Sequence, residues 1–271
     1  MPYATNKGVK IHYEVEGQGP PLVLMTGFAG TLEDWRFFGY AQVLSKDYRL
    51  ILIDPRGRGA SDKSHDVADY DPKLMVEDVV AILDDLKINK AHYFGYSMGG
   101  MIGWRICIYA PERFLSLILG GSRYPLQGRE EMDDSNIATA IQVGLQMALK
   151  EASDRPMEFF VAALEKSMGY QYPPERRAQM LALDARVLVA SFKSWVGGVV
   201  PKAEEVLPQM TLPCLIFAGE ADPWYPKARE CARLMPSATF FSLPGIGHEA
   251  LERSDLVLPH ISKFLAEVSK K

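Results

Sequence analysis

A serine between two glycines is the strongest chemical signal in this chain of 271 residues. Residues 95–99 read Gly-Tyr-Ser-Met-Gly, with an apolar run before them and a helical run after them. In a strand–turn–helix context the glycines make room for a strained turn. The serine hydroxyl then projects above the sheet beside the N-terminus of a helix, which favours negative charge. The pattern predicts that Ser97 is a nucleophile rather than part of a simple turn.

A serine hydroxyl is a weak nucleophile until a base takes its proton. The sequence contains five histidines, His12, His65, His92, His248 and His260. The first lies in a predicted strand, the second in a polar loop, the third at a strand start and the last in the C-terminal helix. Only His248 lies in a glycine-containing loop directly after the last predicted strand. We therefore expect His248 to be the base.

An acidic group must hold the histidine in the correct tautomer. Asp222 follows the penultimate predicted strand and stands before Pro223, while Glu220 lies two residues earlier. Asp222 is preferred because the Asp-Pro pair ends the loop before a new helix and fixes its geometry. Glu220 is the second choice. The chain order serine, aspartate, histidine is the order that α/β folds with a serine on such a strand-to-helix turn use for a triad.

These loops need a sheet that brings them together. Residues 9–15 alternate apolar and polar side chains, as in a half-exposed edge strand, whereas 21–25 and 50–53 are apolar throughout, as in strands buried on both faces. Further strands are predicted at 92–95, 116–119, 214–218 and 239–243. A helix with an apolar period of 3.6 residues carries Met75, Val79, Ile82, Leu83 and Leu86. Strands separated by helices predict an α/β fold, with a mostly parallel central sheet and helices on both faces.

The alternation of strands and helices stops from about residue 129 to residue 200, where the sequence is helical throughout. We expect one domain over 1–271, with a core at 1–125 and 206–271 and a helical insertion at 126–205. The insertion leaves the sheet just after the carboxyl end of a strand, where ligands bind in open α/β folds. It is therefore predicted to be a lid over the site, with a structural elaboration as the alternative.

Three further motifs resemble one family. Residues 54–62 (Asp-Pro-Arg-Gly-Arg-Gly-Ala-Ser-Asp), 218–222 and 245–248 are similar, with the serine motif, to the α/β-hydrolase superfamily. Within it, the chain looks similar to small esterases, enol-lactonases and cofactor-free haloperoxidases or perhydrolases. The resemblance implies an oxyanion hole made by the backbone amides of Phe28 and Met98. Most such relatives have His-Gly where this chain has Thr26 and Gly27; the Thr26 hydroxyl could replace the histidine or only cap the turn.

The resemblance implies two-step acyl transfer by Ser97 on a small or medium carboxylic ester or lactone with an apolar portion. Two alternatives stay open. One is a perhydrolase, lyase or carbon–carbon hydrolase that uses the same triad, and the other is a ligand receptor of the same fold. Relatives with an aspartate nucleophile, such as epoxide hydrolases and dehalogenases, are excluded because residue 97 is serine.

The evidence for a substrate pocket is thinner. Trp195 and Trp224 are candidate substrate-binding residues, although core packing explains both equally well. Arg123 follows a predicted strand and could bind a substrate carboxylate, or pair with an acidic residue such as Asp133. Trp195 is followed by Gly197 and Gly198, which could form a hinge.

The composition excludes several partners. The net charge is −4 and the basic residues are scattered, which argues against nucleic acid. No apolar run approaches the roughly 20 residues that span a membrane, and the N-terminal residues lack the apolar core of a signal peptide, so we expect a cytoplasmic protein. Cys107, Cys214 and Cys231 are predicted to be reduced core thiols. No metal or other cofactor is expected; the partner is a small-molecule substrate, and a homo-oligomer stays open.

Overall fold

The computed structural model describes residues 2–125, 141–146, 156–169, 171–195 and 200–270. Within these ranges eight strands form one sheet in the order β1-β2-β4-β3-β5-β6-β7-β8. The strands are β1 (Tyr3–Asn6), β2 (Val9–Glu16), β3 (Pro21–Met25), β4 (Arg49–Ile53), β5 (Ala91–Tyr96), β6 (Phe114–Gly120), β7 (Cys214–Gly219) and β8 (Ala238–Leu243). The pairs from β4 to β8 are parallel, and β1 and β2 add two antiparallel pairs at one side.

The described helices lie between the strands and after the last one. They are α1 (Glu33–Phe37), α2 (Tyr40–Leu44), α3 (Pro72–Asp85), α4 (Met98–Tyr109), α5 (Pro156–Met168), α6 (Pro174–Leu181), α7 (Ala185–Trp195), α8 (Ala203–Val206), α9 (Tyr225–Leu234) and α10 (Ser254–Val268). Helix α3 begins as its sequence predicts: the Asp71 side chain accepts from the amide of Lys73, and Pro72 is the first helical residue.

The two apolar cores lie on opposite faces of the sheet, because successive side chains of a strand point to opposite faces. In β3, Val23 and Met25 belong to the core that α3, α4 and α9 cover. Leu22 and Leu24 belong to the core that α1, α2 and α10 cover. The expected α/β fold with a mostly parallel sheet and helices on both faces is confirmed.

The expectation that residues 9–15 form an edge strand is wrong. Strand β1, which the sequence did not reveal, pairs antiparallel with the outer side of β2, so β2 is the second strand of the sheet. The apolar residues of the alternation share one face of β2, and the rest of the sheet domain covers this face only in part. On it, Ile11 and Tyr13 are buried and Val15 is half-buried. In this part of the sheet, the edge is β1, only four residues long.

Helices α5 to α8 lie between β6 and β7, in the stretch where a helical insertion was expected. Residues 126–140, 147–155, 170 and 196–199 of that stretch lie outside the described residues. A third apolar cluster holds α5, α6 and α7 together through Phe160, Met180 and Leu188. The half-buried Phe28 of the sheet-edge loop packs against this cluster, so the insertion contacts the carboxyl end of β3.

Three cysteines, Cys107, Cys214 and Cys231, are free and buried, as the sequence predicted. Burial raises the pKa of Cys107 to about 12 and that of Cys231 to about 11, so these thiols stay protonated. No described helix combines the length and the apolar character needed to cross a membrane.

Candidate active site

Ser97 lies on a strained turn between β5 and α4. Its φ is 53° and its ψ is −115°, a conformation that L-residues rarely adopt. Two glycines make the turn possible. A Cβ on Gly95 would overlap the carbonyl of Gly99, and a Cβ on Gly99 would overlap the carbonyl of Met25. The residues around Ser97 therefore have the geometry that the glycine spacing predicts.

The Ser97 hydroxyl, the His248 ring and the Asp222 carboxylate form one chain of hydrogen bonds. Ser97 Oγ lies 2.9 Å from His248 Nε2, and His248 Nδ1 lies 2.7 Å from Asp222 Oδ2. The Asp222 side chain is fully buried, while that of His248 is 10% exposed. A carboxylate that accepts from Nδ1 leaves the Nε2 lone pair facing the hydroxyl. This geometry can move a proton from Ser97 to His248.

The loops that carry Asp222 and His248 pack directly on each other after β7 and β8. The amide of Ala221 donates to the carbonyl of Ile246 over 2.9 Å. A Cβ on Gly219 would overlap the carbonyls of Ile246 and Gly247, so only glycine permits this approach. The loops are close because their strands are parallel neighbours whose carboxyl ends meet at one edge.

Three further contacts fix the orientation of the acid and the imidazole. Asp222 Oδ1 accepts from the amide of Trp224 over 2.9 Å. The Trp224 ring stands edge-to-face against His248, with ring centroids 5.0 Å apart. The Tyr96 hydroxyl donates to the backbone carbonyl of His248 over 2.7 Å, and burial raises the pKa of Tyr96, which keeps the phenol a donor.

Glu220, the second choice for the acid, points elsewhere. It is exposed, and its Oε1 accepts from the Ser242 hydroxyl over 2.8 Å. Of the two carboxylates in this loop, Asp222 is the one that reaches His248.

The resemblance assigns the oxyanion hole to the amides of Phe28 and Met98, and both residues lie close to Ser97. Met98 is the first residue of α4, and Phe28 follows Gly27, where an added Cβ would lie 3.4 Å from Ser97 Cβ. Neither amide donates to an acceptor among the described residues. Two unpaired amides beside a serine hydroxyl can stabilise negative charge on a substrate oxygen.

The Thr26 hydroxyl is bound by an acidic side chain of α1. It donates to Asp34 Oδ2 over 2.6 Å, and Asp34 is a buried residue of α1. The other carboxylate oxygen, Oδ1, lies 2.7 Å from Nη1 of Arg176 in α6. Burial raises the pKa of Asp34, and the Arg176 charge opposes that rise.

Sequence reasoning missed Asp34, Arg176 and Arg58. Arg58 is almost fully buried, and its Nε donates to the carbonyl of Phe28 over 2.8 Å. Its position in the motif at 54–62 was a usable signal. No local pattern marks Asp34 or Arg176, because their ion pair joins segments that are distant in the chain.

A solvent-open cleft lies above Ser97. Most of the surface exposed in it is apolar, although its described lining contains both apolar and polar side chains. The lining includes Phe28, Phe38, Ile141, Leu164, Met180 and Leu251, and also the polar Thr26, Asp34, Tyr172, Arg176, Glu249 and Glu252. The cleft can hold an apolar substrate portion beside the hydroxyl.

The three residues proposed to bind substrate are not among the described residues that line this cleft. Trp224 packs against His248, and Arg123 lies over the Trp224 ring at 5.9 Å. The guanidinium of Arg105 lies over the Trp195 ring, 4.6 Å from the ring centroid. Asp133, Gly197 and Gly198 lie outside the described residues.

The family model for the alpha/beta hydrolase fold matches residues 20–255, so the chain belongs to the alpha/beta hydrolase family. The resemblance predicted from the sequence motifs is thereby confirmed.

The similar proteins are named for different activities. A putative 2-succinyl-6-hydroxy-2,4-cyclohexadiene-1-carboxylate synthase of Bacillus subtilis (strain 168) is 26% identical, over 95% of this chain and 96% of its own length. A pimeloyl-[acyl-carrier protein] methyl ester esterase of Aeromonas salmonicida (strain A449) is 29% identical, over 81% of this chain and 84% of its own. The crystal structure of the enol-lactonase from Burkholderia xenovorans LB400 has a TM-score of 0.74 at 22% identity, over 98% of this chain and 100% of its own. The similarity to this last structure shows a shared fold.

Proposed function

We propose that this protein is a serine hydrolase that cleaves a carboxylic ester or lactone through an acyl-enzyme on Ser97. The observation that carries the proposal is the unbroken chain from Ser97 Oγ to His248 Nε2 and from His248 Nδ1 to Asp222. Serine, imidazole and buried carboxylate in this order generate a nucleophile at neutral pH.

In the first step Ser97 Oγ attacks the substrate carbonyl carbon while His248 Nε2 accepts the hydroxyl proton. The amides of Phe28 and Met98 donate to the oxygen that becomes negative, and each such donor contributes about 3 kcal/mol in comparable sites. Asp222 stabilises the imidazolium that forms. His248 then gives its proton to the leaving oxygen, and the carbon–oxygen bond breaks to leave the acyl group on Ser97.

In the second step water attacks the acyl-enzyme. His248 takes a proton from the water, the same two amides stabilise the second oxyanion, and the bond to Ser97 Oγ breaks with return of the proton. The reaction consumes one water and needs neither a metal nor a redox partner for its balance.

The substrate class follows from the cleft and the relatives together. The cleft is open to solvent, and its mostly apolar surface suits a small or medium substrate with an apolar acyl or alcohol portion. One relative is named as a methyl ester esterase, and a structural neighbour is named as an enol-lactonase. The insertion helices that carry Leu164 and Met180 of the lining act as a lid in this proposal.

A second candidate is non-hydrolytic chemistry on the same triad, since the Bacillus relative, matched over 95% of this chain, is named as a synthase. This candidate predicts turnover of a substrate that contains no ester, with Ser97 needed as a base or nucleophile.

The cytoplasmic location stays a prediction.

Reaction with a fluorophosphonate probe, followed by mass mapping of the adduct, tests the proposal. The wild type is expected to take up one probe on Ser97 and to hydrolyse p-nitrophenyl butyrate. Ser97→Ala is expected to do neither. Ser242→Ala is the matched control, because Ser242 bonds to Glu220 rather than to a histidine. Labelling elsewhere, or ester turnover that survives in Ser97→Ala, would refute the proposal.

A further inference from the structure

The loop after β3, residues 26–30, is held through each of its first four carbonyl groups. The carbonyls of Thr26 and Gly27 accept from the amides of Gly99 and Gly30, at 3.0 and 3.1 Å. The Phe28 carbonyl accepts from Arg58 Nε at 2.8 Å, and the Ala29 carbonyl from Arg176 Nη2 at 3.3 Å. Three of these donors belong to the sheet domain. Arg176 belongs to the helical insertion.

Arg176 also forms an ion pair beneath this loop. Its Nη1 lies 2.7 Å from Oδ1 of Asp34, whose side chain is 2% exposed. The second oxygen of Asp34 accepts the Thr26 hydroxyl at 2.6 Å. Thr26 stands two residues before Phe28, so a continuous set of polar contacts joins α6 to the loop that carries the Phe28 amide.

Removing Arg176 would leave two polar groups without their partner, the Asp34 carboxylate and the Ala29 carbonyl. A buried carboxylate that loses its cation is strongly destabilising. In the described part of the chain, Arg176 is the cation that contacts Asp34. The Ala29 carbonyl would also lose its donor, and the loop would be released on the side that faces the insertion. Its other three carbonyl contacts would remain.

We propose that Arg176 is a positioning residue for the oxyanion site. By binding Asp34 and the Ala29 carbonyl, it holds the Phe28 amide beside Ser97 only while the helical insertion is docked on the sheet domain. This inference rests on the proposed acyl transfer at Ser97.

The neighbouring residue offers a matched control. Arg177 follows Arg176 in α6, but it pairs with Glu158 at 2.5 Å and lies 3.6 Å from Glu165, both within the insertion. Arg176→Gln and Arg177→Gln thus remove the same charge from the same helix. Only the first change breaks the contact with the sheet domain.

The test compares kcat and KM for p-nitrophenyl acetate, whose small acyl group keeps direct contacts between substrate and insertion to a minimum. Arg176→Gln is expected to lower kcat about 10- to 100-fold, somewhat less than the 10²- to 10³-fold loss on removing an oxyanion donor. Its KM is expected to stay within about threefold. Arg177→Gln is expected to keep both constants within about threefold. The rate of fluorophosphonate labelling at Ser97 should fall in parallel with kcat, because the phosphoryl oxygen occupies the same oxyanion site.

The double variant Asp34→Asn/Arg176→Gln separates positioning from stability. It contains no unpaired buried charge, so its urea unfolding midpoint is expected to recover toward the wild-type value. Its kcat is expected to stay low, since the Ala29 carbonyl still lacks its donor. Recovery of kcat together with stability would overturn the inference. A rise in KM alone in Arg176→Gln would also overturn it and would make Arg176 a substrate contact. If the wild type itself neither turned over esters nor reacted at Ser97, the proposed function would fail first.

Discussion

Gly99 lies where the first turn of α4 touches the end of β3. Its amide donates to the carbonyl of Thr26 over 3.0 Å. A Cβ added there would stand 2.7 Å from the carbonyl carbon of Met25 and 2.8 Å from the carbonyl oxygen of Thr26. All of these atoms are backbone, so no side chain can rotate away. Gly99→Ala must therefore separate α4 from β3.

The expected loss of kcat in Gly99→Ala follows from the overlap between the added Cβ and these backbone atoms. Relief of the contact with Met25 requires a shift of about 1 Å, and a 1 Å misplacement of catalytic groups can cost about 100-fold in rate. The two elements that move apart carry the amides of Met98 and Phe28, both close to Ser97. We expect Gly99→Ala to lower kcat for a short ester by about 100-fold.

Gly103→Ala is the matched control on the same helix. A Cβ there would meet the Leu119 methyl group and the edge of the Tyr93 ring, which are side-chain atoms that can give way. We expect Gly103→Ala to destabilise the protein by about 1–3 kcal/mol and to keep kcat within about threefold. Steady-state kinetics and urea unfolding would be measured on both variants. A folded Gly99→Ala protein with wild-type kcat would refute the reasoning about the oxyanion site.

Three further predictions address the acid, a buried histidine and a buried ion pair. Asp222→Asn is expected to lower kcat by about 10⁴-fold, while Glu220→Gln keeps kcat within about threefold; the reverse ranking would reassign the acid. Burial lowers the pKa of His92 to about 4, so the unfolded chain, with an ordinary histidine pKa near 6.5, binds the proton first as the pH falls. The free energy of unfolding should therefore fall as the pH drops from about 6.5 to 4. The fall is expected to be larger in the wild type than in His92→Gln, by at most about 3 kcal/mol. Urea titrations of both proteins at pH 7 and 4.5 would measure the difference. Asp78→Asn breaks a buried bidentate pair with Arg56 and is expected to cost about 3–5 kcal/mol in urea unfolding; a loss under 1 kcal/mol would contradict this assignment.

Local patterns were sufficient for the strands that carry the site and for the three residues of the hydrogen-bonded chain. Ser97 is marked by its flanking glycines, and His248 and Asp222 each follow an apolar strand. Parallel pairing then places the ends of these strands at one edge of the sheet. Such information lies within a few residues of each position, which is why the sequence reveals it.

Contacts between distant segments were not predictable in this way. Strand β1 has only four residues and a weak pattern, so the sequence did not reveal that it covers β2. The Asp34–Arg176 pair depends on how the insertion packs on the sheet domain. For Trp224 the sequence left substrate contact and core packing equally open, and the structure shows its ring packed against His248.

The most direct test of the central claim is to trap the covalent intermediate. The enzyme would be mixed with excess p-nitrophenyl butyrate, quenched with acid during turnover and analysed by intact mass and peptide mapping. The acyl-enzyme mechanism predicts a mass increase of one butyryl group on Ser97, which a chase without substrate removes at a rate no slower than kcat. Steady turnover with the label on another residue, or an adduct that does not turn over, would contradict the assignment of Ser97 as the nucleophile.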